Sequence, residues 1–138
     1  MLETGLAFVA NLNALPQGNE NFLRGRTADA MHALVPASLG LTPLDNAAQV
    51  ANLDYLFPGL ESFNVQTIGE NPFIIDEVSK RIVVHANVTG QSAVGSYANE
   101  FIFTITTTDD GKKVKYSKEF VDSVLGLEYL EKLTGGGQ

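Results

Sequence analysis

The sequence predicts an α+β fold, and three observations predict it. Residues 2–60 carry most of their apolar side chains at helical spacing. Residues 62–121 hold four runs rich in β-branched and aromatic residues, and a last stretch returns to helical spacing. Helices first, a meandering antiparallel sheet next and one helix to close suit a strongly curved sheet wrapped around N-terminal helices. Such a sheet forms a cone whose open end is a natural small-molecule pocket. With 138 residues and no internal repeat, the chain reads as one domain over 1–138, with 135–138 as a loose tail.

Leu2, Leu6, Val9 and Leu12 recur every three to four residues, which predicts an opening helix ending near Pro16. A second short helix over about 19–28 holds Phe22 and Leu23 and carries Arg24 and Arg26. "MHALVPASLG" reads as a short strand running into an irregular loop. "LTPLDNAAQVANLDYLFPGLE" reads as a third helix, capped by Thr42, Asp45 or Asn46, with Val50, Leu53, Phe57 and Leu60 as its apolar stripe. "SFNVQTIGE", "KRIVVHANVTG", "YANEFIFTITTT" and "KKVKYSKEFV" read as strands, and Asp110-Gly111 between the last two is a hairpin signal. "DSVLGLEYLEKL" is the final helix, with Asp122 or Ser123 as its cap.

The net charge of −7 and the lack of a Lys/Arg cluster argue against nucleic acid or an anionic membrane surface as partner. No run approaches the ~18 consecutive apolar residues of a membrane span. The N-terminus lacks the basic region of a signal peptide, so a cytoplasmic location is expected, and the sequon at Asn87 is read as chance. The chain has no cysteine, which removes disulfides and thiolate chemistry. Its two histidines lie far apart without metal-ligand spacing, and no phosphate-binding, dinucleotide or serine-nucleophile motif is present. Neither a metal nor a cofactor is therefore expected. What remains is general acid–base catalysis on a bound hydrophobic molecule.

Alternation assigns faces to the strands. Tyr97, Asn99, Phe101, Phe103 and Ile105 share one face, an aromatic wall with two polar groups at its start, and the opposite face is mixed enough to be a subunit interface. Lys115, Ser117, Glu119 and Val121 share a side of the last strand. If that side lines the cavity, Glu119 is a carboxylate in an apolar chamber and a candidate for proton transfer. If the strand is an edge, Glu119 pairs with a surface lysine such as Lys115. Both readings stay open on residues alone.

Arg26 reads as a solvated cation at a helix end. His32 reads as a core histidine, and His85 as the same or as a pocket-border residue. Asp122 is better explained as a cap than as an acid. Tyr97 reads as a core ring with its hydroxyl at the rim or as a hydrogen-bond donor to ligand, and Asn99 beside it on the same face favours the second.

"RTADAMHALVPASLG", "DNAAQVANLDYLFPGLESFNV", "YANEFIF" and "KEFVDSVLGLEYLEKL" together resemble the fungal SnoaL-like proteins of the nuclear-transport-factor-like superfamily. The resemblance spans nearly the whole chain, and "KEFVDS" is its most specific piece. It implies a cofactor-free homodimer, paired through the sheet, that rearranges a polycyclic intermediate in a fungal secondary-metabolite pathway. The family includes meroterpenoid isomerases and a semipinacolase of indole-alkaloid biosynthesis. The resemblance also implies that Arg26 and Glu119 form the acid–base pair and that Tyr97 is the first of two pocket tyrosines. Phe101 occupies the second tyrosine's place, a departure that implies another donor or another substrate. Met31 stands where many relatives have cysteine, read as a packing change. His32, His85, Asn99, Phe101, Phe103 and Asp122 complete the expected substrate-binding set. The rivals are a hydrolase or dehydratase, which would gather Asp29, His32, His85 or Asp122 around a water, and a non-catalytic binding module with a filled pocket.

Overall fold

The computed structural model describes residues 1–135, so all of the expected tail except Gly135 lies outside the described residues. Three α-helices pack with one curved sheet: α1 (Leu2–Asn13), α2 (Asn46–Leu56) and α3 (Ser123–Thr134). The strands are β1 (Arg26–Val35), β2 (Leu44–Asp45), β3 (Ser62–Thr67), β4 (Phe73–Asp76), β5 (Arg81–Ser92), β6 (Gly95–Thr107) and β7 (Val114–Val121). Their order is β2-β1-β7-β6-β5-β3, with β4 also paired to β5. The α+β cone is as expected, with one difference. The sheet is mixed, because β1 runs parallel to β7 while its other pairings are antiparallel.

That parallel pairing decides the site. It sets His32 beside Ser117 and Leu34 beside Glu119, and it makes β7 an interior strand. The edge-strand reading of Glu119 is therefore corrected. Arg26 is corrected too: it is the first residue of β1, not the end of a helix, and the expected second helix is a 3₁₀ turn over Asn19–Leu23. Between Arg26 and Met31 the β1–β7 register shifts, forming a bulge. A bulge strands backbone carbonyls. Asn46 Nδ2 donates to Thr27 O and Ala28 O, and Arg26 Nη2 donates to Met31 O, so the bulge is tied down by side chains.

α1 forms where expected, but its buried face is Gly5, Phe8 and Leu12, whereas Leu2 and Leu6 are exposed. Gly5 permits this rotation, since a Cβ there would meet the Phe73 ring at 2.9 Å. Phe8 in turn meets Phe103 edge-on, with centroids 5.3 Å apart. Asp45 caps α2 by accepting from Ala48 N, as its sequence position suggested. The short strand β4 carried too little alternation to be read, and β2 is only two residues long. Ile82, Val84, Ala86 and Val88 point inward from β5, which resolves the ambiguity of that strand.

Candidate functional site

A cavity of about 470 Å³ opens between the concave face of the sheet, α2 and α3. Its walls are mostly apolar: Phe22, Phe101, Phe103 and Val121 come from the base and sheet, Leu53 and Leu127 from the helices, and Phe57 from the residue that ends α2. Among its lining residues there is no Lys, Arg or Asp, and the titratable groups are His32, Glu119 and tyrosines. The chamber is neither plugged by its own side chains nor turned away from Glu119.

Glu119 enters the wall because alternation on β7 turns Ser117, Glu119 and Val121 to the concave side. His32 Nε2 lies 2.9 Å from Glu119 Oε1, and the two side chains are 5% and 19% exposed. His32 Nδ1 lies 2.7 Å from Ser117 Oγ, and Arg26 Nη1 donates to the same oxygen at 2.9 Å. With a neutral imidazole beside an ionised carboxylate the contacts run in one direction: Ser117 Oγ accepts from Arg26, which can only donate, and passes its own hydrogen to His32 Nδ1. The ring nitrogen left protonated is Nε2, which donates to Glu119.

Arg26 and Glu119 therefore do not meet; a buried serine and a histidine stand between them. The order also argues against a serine nucleophile, because Ser117 is 0% exposed and off the cavity wall, while the carboxylate faces in. Arg26 is held by Asn46 Oδ1 (3.2 Å), Ser117 Oγ and Met31 O, and its guanidinium lies 4.7 Å from the Phe22 ring centroid. Burial pulls its pKa down to about 10, so it keeps its charge at neutral pH.

Tyr97 also lines the cavity. Its oxygen accepts from Asn99 Nδ2 at 3.3 Å, leaving the phenolic hydrogen uncommitted among the described residues. Burial first, then the Glu119 carboxylate, push the phenol above the ordinary tyrosine range, and the Asn99 bond pulls the other way. Tyr97 is thus a neutral donor. A folded state that holds this proton more tightly than the unfolded chain loses stability as pH rises past about 10, where unfolded tyrosine ionises. Tyr97→Phe should flatten that alkaline loss, measured as urea midpoints across a pH series; an unchanged slope would contradict the assignment.

Phe101 and Phe103 join this wall, their ring centroids 5.2 Å apart. Three expected residues do not reach it. Asn99 is spent on the Asp122 backbone, donating to its carbonyl and accepting from its amide N–H. Asp122 caps α3, accepting from Val124 N and Leu125 N. His85 lies on the convex face, where it pairs with exposed Glu100 at 3.0 Å. Each of the three is corrected by the same physics, since the pleat or a helix terminus commits the side chain elsewhere. Asp29 is exposed, and among the described residues no aspartate lines the cavity with His32. Sequence reading missed Ser117 as the link. Its only signal was sharing a strand face with Glu119.

No family model matches the chain. It is 31% identical over 129 residues to austinoid biosynthesis clusters protein H of Penicillium brasilianum, covering 89% of this chain and 83% of that protein. It is 26% identical over 124 residues to austinoid biosynthesis clusters protein F of Emericella nidulans, covering 90% and 69%. Among solved structures, the BvnE pinacolase of Penicillium brevicompactum matches with a TM-score of 0.87 at 22% identity, over 96% of this chain and 90% of that one. At that identity the likeness is one of fold. SnoaL-like polyketide cyclases from Shewanella and Jannaschia share the same fold at lower likeness.

Proposed function

The chain belongs to the fungal SnoaL-like family of secondary-metabolite biosynthesis proteins, and from that membership we propose that it is an isomerase or cyclase acting by acid–base chemistry on a neutral polycyclic intermediate. The observation that carries this reading is a single carboxylate, Glu119, set in a mostly apolar wall and oriented by His32. Glu119 Oε1 is engaged by His32, and Oε2 is the oxygen left for substrate. In the proposed step Oε2 takes a proton from the substrate and returns it at another atom, so the bonds shift and the composition stays the same. The Tyr97 hydroxyl donates to the oxygen on which negative charge develops, a role the buried Arg26 is too far back to fill. Arg26 instead acts through Ser117 and His32 to fix the carboxylate. Side-chain proton transfer accounts for every step.

The test is a mass balance. The purified chain, incubated with its native intermediate, should give a product of unchanged mass. A product heavier or lighter by one water would establish the hydrolase or dehydratase reading, and tight binding without turnover the binding-module reading. We place a homodimer contact on the convex face of β5–β7, where Ile102 and Phe120 are cross-strand neighbours and 42% and 50% exposed. Sedimentation equilibrium giving one chain mass would contradict it.

A further inference from the structure

Gln49 sits on the buried face of α2, four residues before Leu53 and seven before Leu56, where helical packing calls for an apolar residue. It is 3% exposed, it lines the cavity, and its Oε1 is enclosed in the wall without a hydrogen-bond partner. Among the described residues, two other buried side-chain oxygens share that condition, Asn19 Oδ1 and Thr27 Oγ1, and neither belongs to a residue of this cavity. A buried amide oxygen left unpaired is destabilising, and nothing in the fold of α2 requires it. Asn52, one turn further on, lines the same wall.

We propose that Gln49 is a specificity-determining residue: its amide, turned about its last, two-fold torsion so that the carbonyl oxygen faces the cavity, accepts a hydrogen bond from a neutral donor group, an alcohol or an amide N–H, on the bound polycyclic molecule. The inference rests on the cavity being the substrate site. It adds a second polar anchor contributed by α2, apart from the sheet residues that bear Glu119 and Tyr97. The lack of lysine and arginine among the lining residues argues against an anionic group, and the one lining carboxylate, Glu119, is already engaged by His32, so a neutral donor fits Gln49 best. A site that hydrogen-bonds a substrate hydroxyl discriminates against the analogue that cannot donate, because its own buried acceptor is then left unpaired.

The probes are three neutral tetracycles differing in one oxygen: androstanol, androstanone and androstane, with displacement of Nile red from the intact chain as the readout. The wild-type chain should bind androstanol about tenfold more tightly than androstanone. In Gln49→Leu and Gln49→Met that preference should shrink to about twofold or less, with androstane bound as well as before or better. Both variants should melt at or above the wild-type temperature, since they remove an unpaired buried polar atom. A preference that survives in the variants, no preference in the wild type, or a marked fall in melting temperature would overturn the role of Gln49. If none of the three displaces the dye from the wild type, the neutral-polycycle reading of the cavity fails, and this inference with it.

Discussion

Arg26→Met should destabilise the fold by about 3 kcal/mol and leave a folded remainder with about 10- to 100-fold lower turnover. Two effects oppose one another. Removing the guanidinium leaves Ser117 Oγ, Met31 O and Asn46 Oδ1 without their donor, at about 1–3 kcal/mol for each buried group. It also relieves the burial of a charge, which the fall of the Arg26 pKa from 12.5 to about 10 records and which offsets roughly 3–4 kcal/mol at about 1.4 kcal/mol per unit. Three orphaned groups outweigh one relieved charge, so the net sign is destabilising. In a chain of this size the loss corresponds to a melting decrease of roughly 10 °C. Arg26→Lys should recover only part of it, because a point charge cannot serve three acceptors arranged for a planar fork. A melting temperature equal to wild type would contradict the proposed role of the Arg26–Ser117–His32 chain.

Glu119→Gln should cost about 10²- to 10⁴-fold in kcat on the native intermediate, the range expected of one positioned proton-transfer group. The substitution is nearly isosteric, and the amide oxygen it introduces can still accept from His32 Nε2. The fold and the alignment should therefore persist while the basicity is lost. Stability and activity separate here, which distinguishes Glu119 from Arg26. Glu119→Asp, with its shorter reach, should lie between the amide variant and wild type, since misplacement of a catalytic group by about 1 Å costs on the order of 10²-fold. Wild-type turnover in Glu119→Gln would rule out the carboxylate as the proton carrier.

Much of this was legible in the sequence, and the rest was not for identifiable reasons. Local signals carried far. The Asp45 and Asp122 caps, the Asp110-Gly111 hairpin and the alternation on β6 and β7 are properties of neighbouring residues; they put Tyr97, Phe101 and Phe103 on one pocket-facing side, while Glu119 stayed open between cavity and edge. What failed depended on distant pairing. The parallel match of β1 to β7 joins His32 to Ser117 across 85 residues, with no turn between them to announce it. Without that register, His32 looked like an ordinary core histidine and Arg26 like a surface cation. The α1 stripe went wrong for a smaller reason: Gly5, which has no side chain to count as apolar, is the residue that lets the helix approach Phe73.

The most direct measurement is a double-mutant cycle in kcat/KM between Glu119→Gln and His32→Leu. If His32 works only by orienting the Glu119 carboxylate, each single variant is slow and the double variant is no slower than Glu119→Gln alone. Losses that multiply would mean the histidine acts independently of the carboxylate, and the proposed unit running from Arg26 to Glu119 would be wrong.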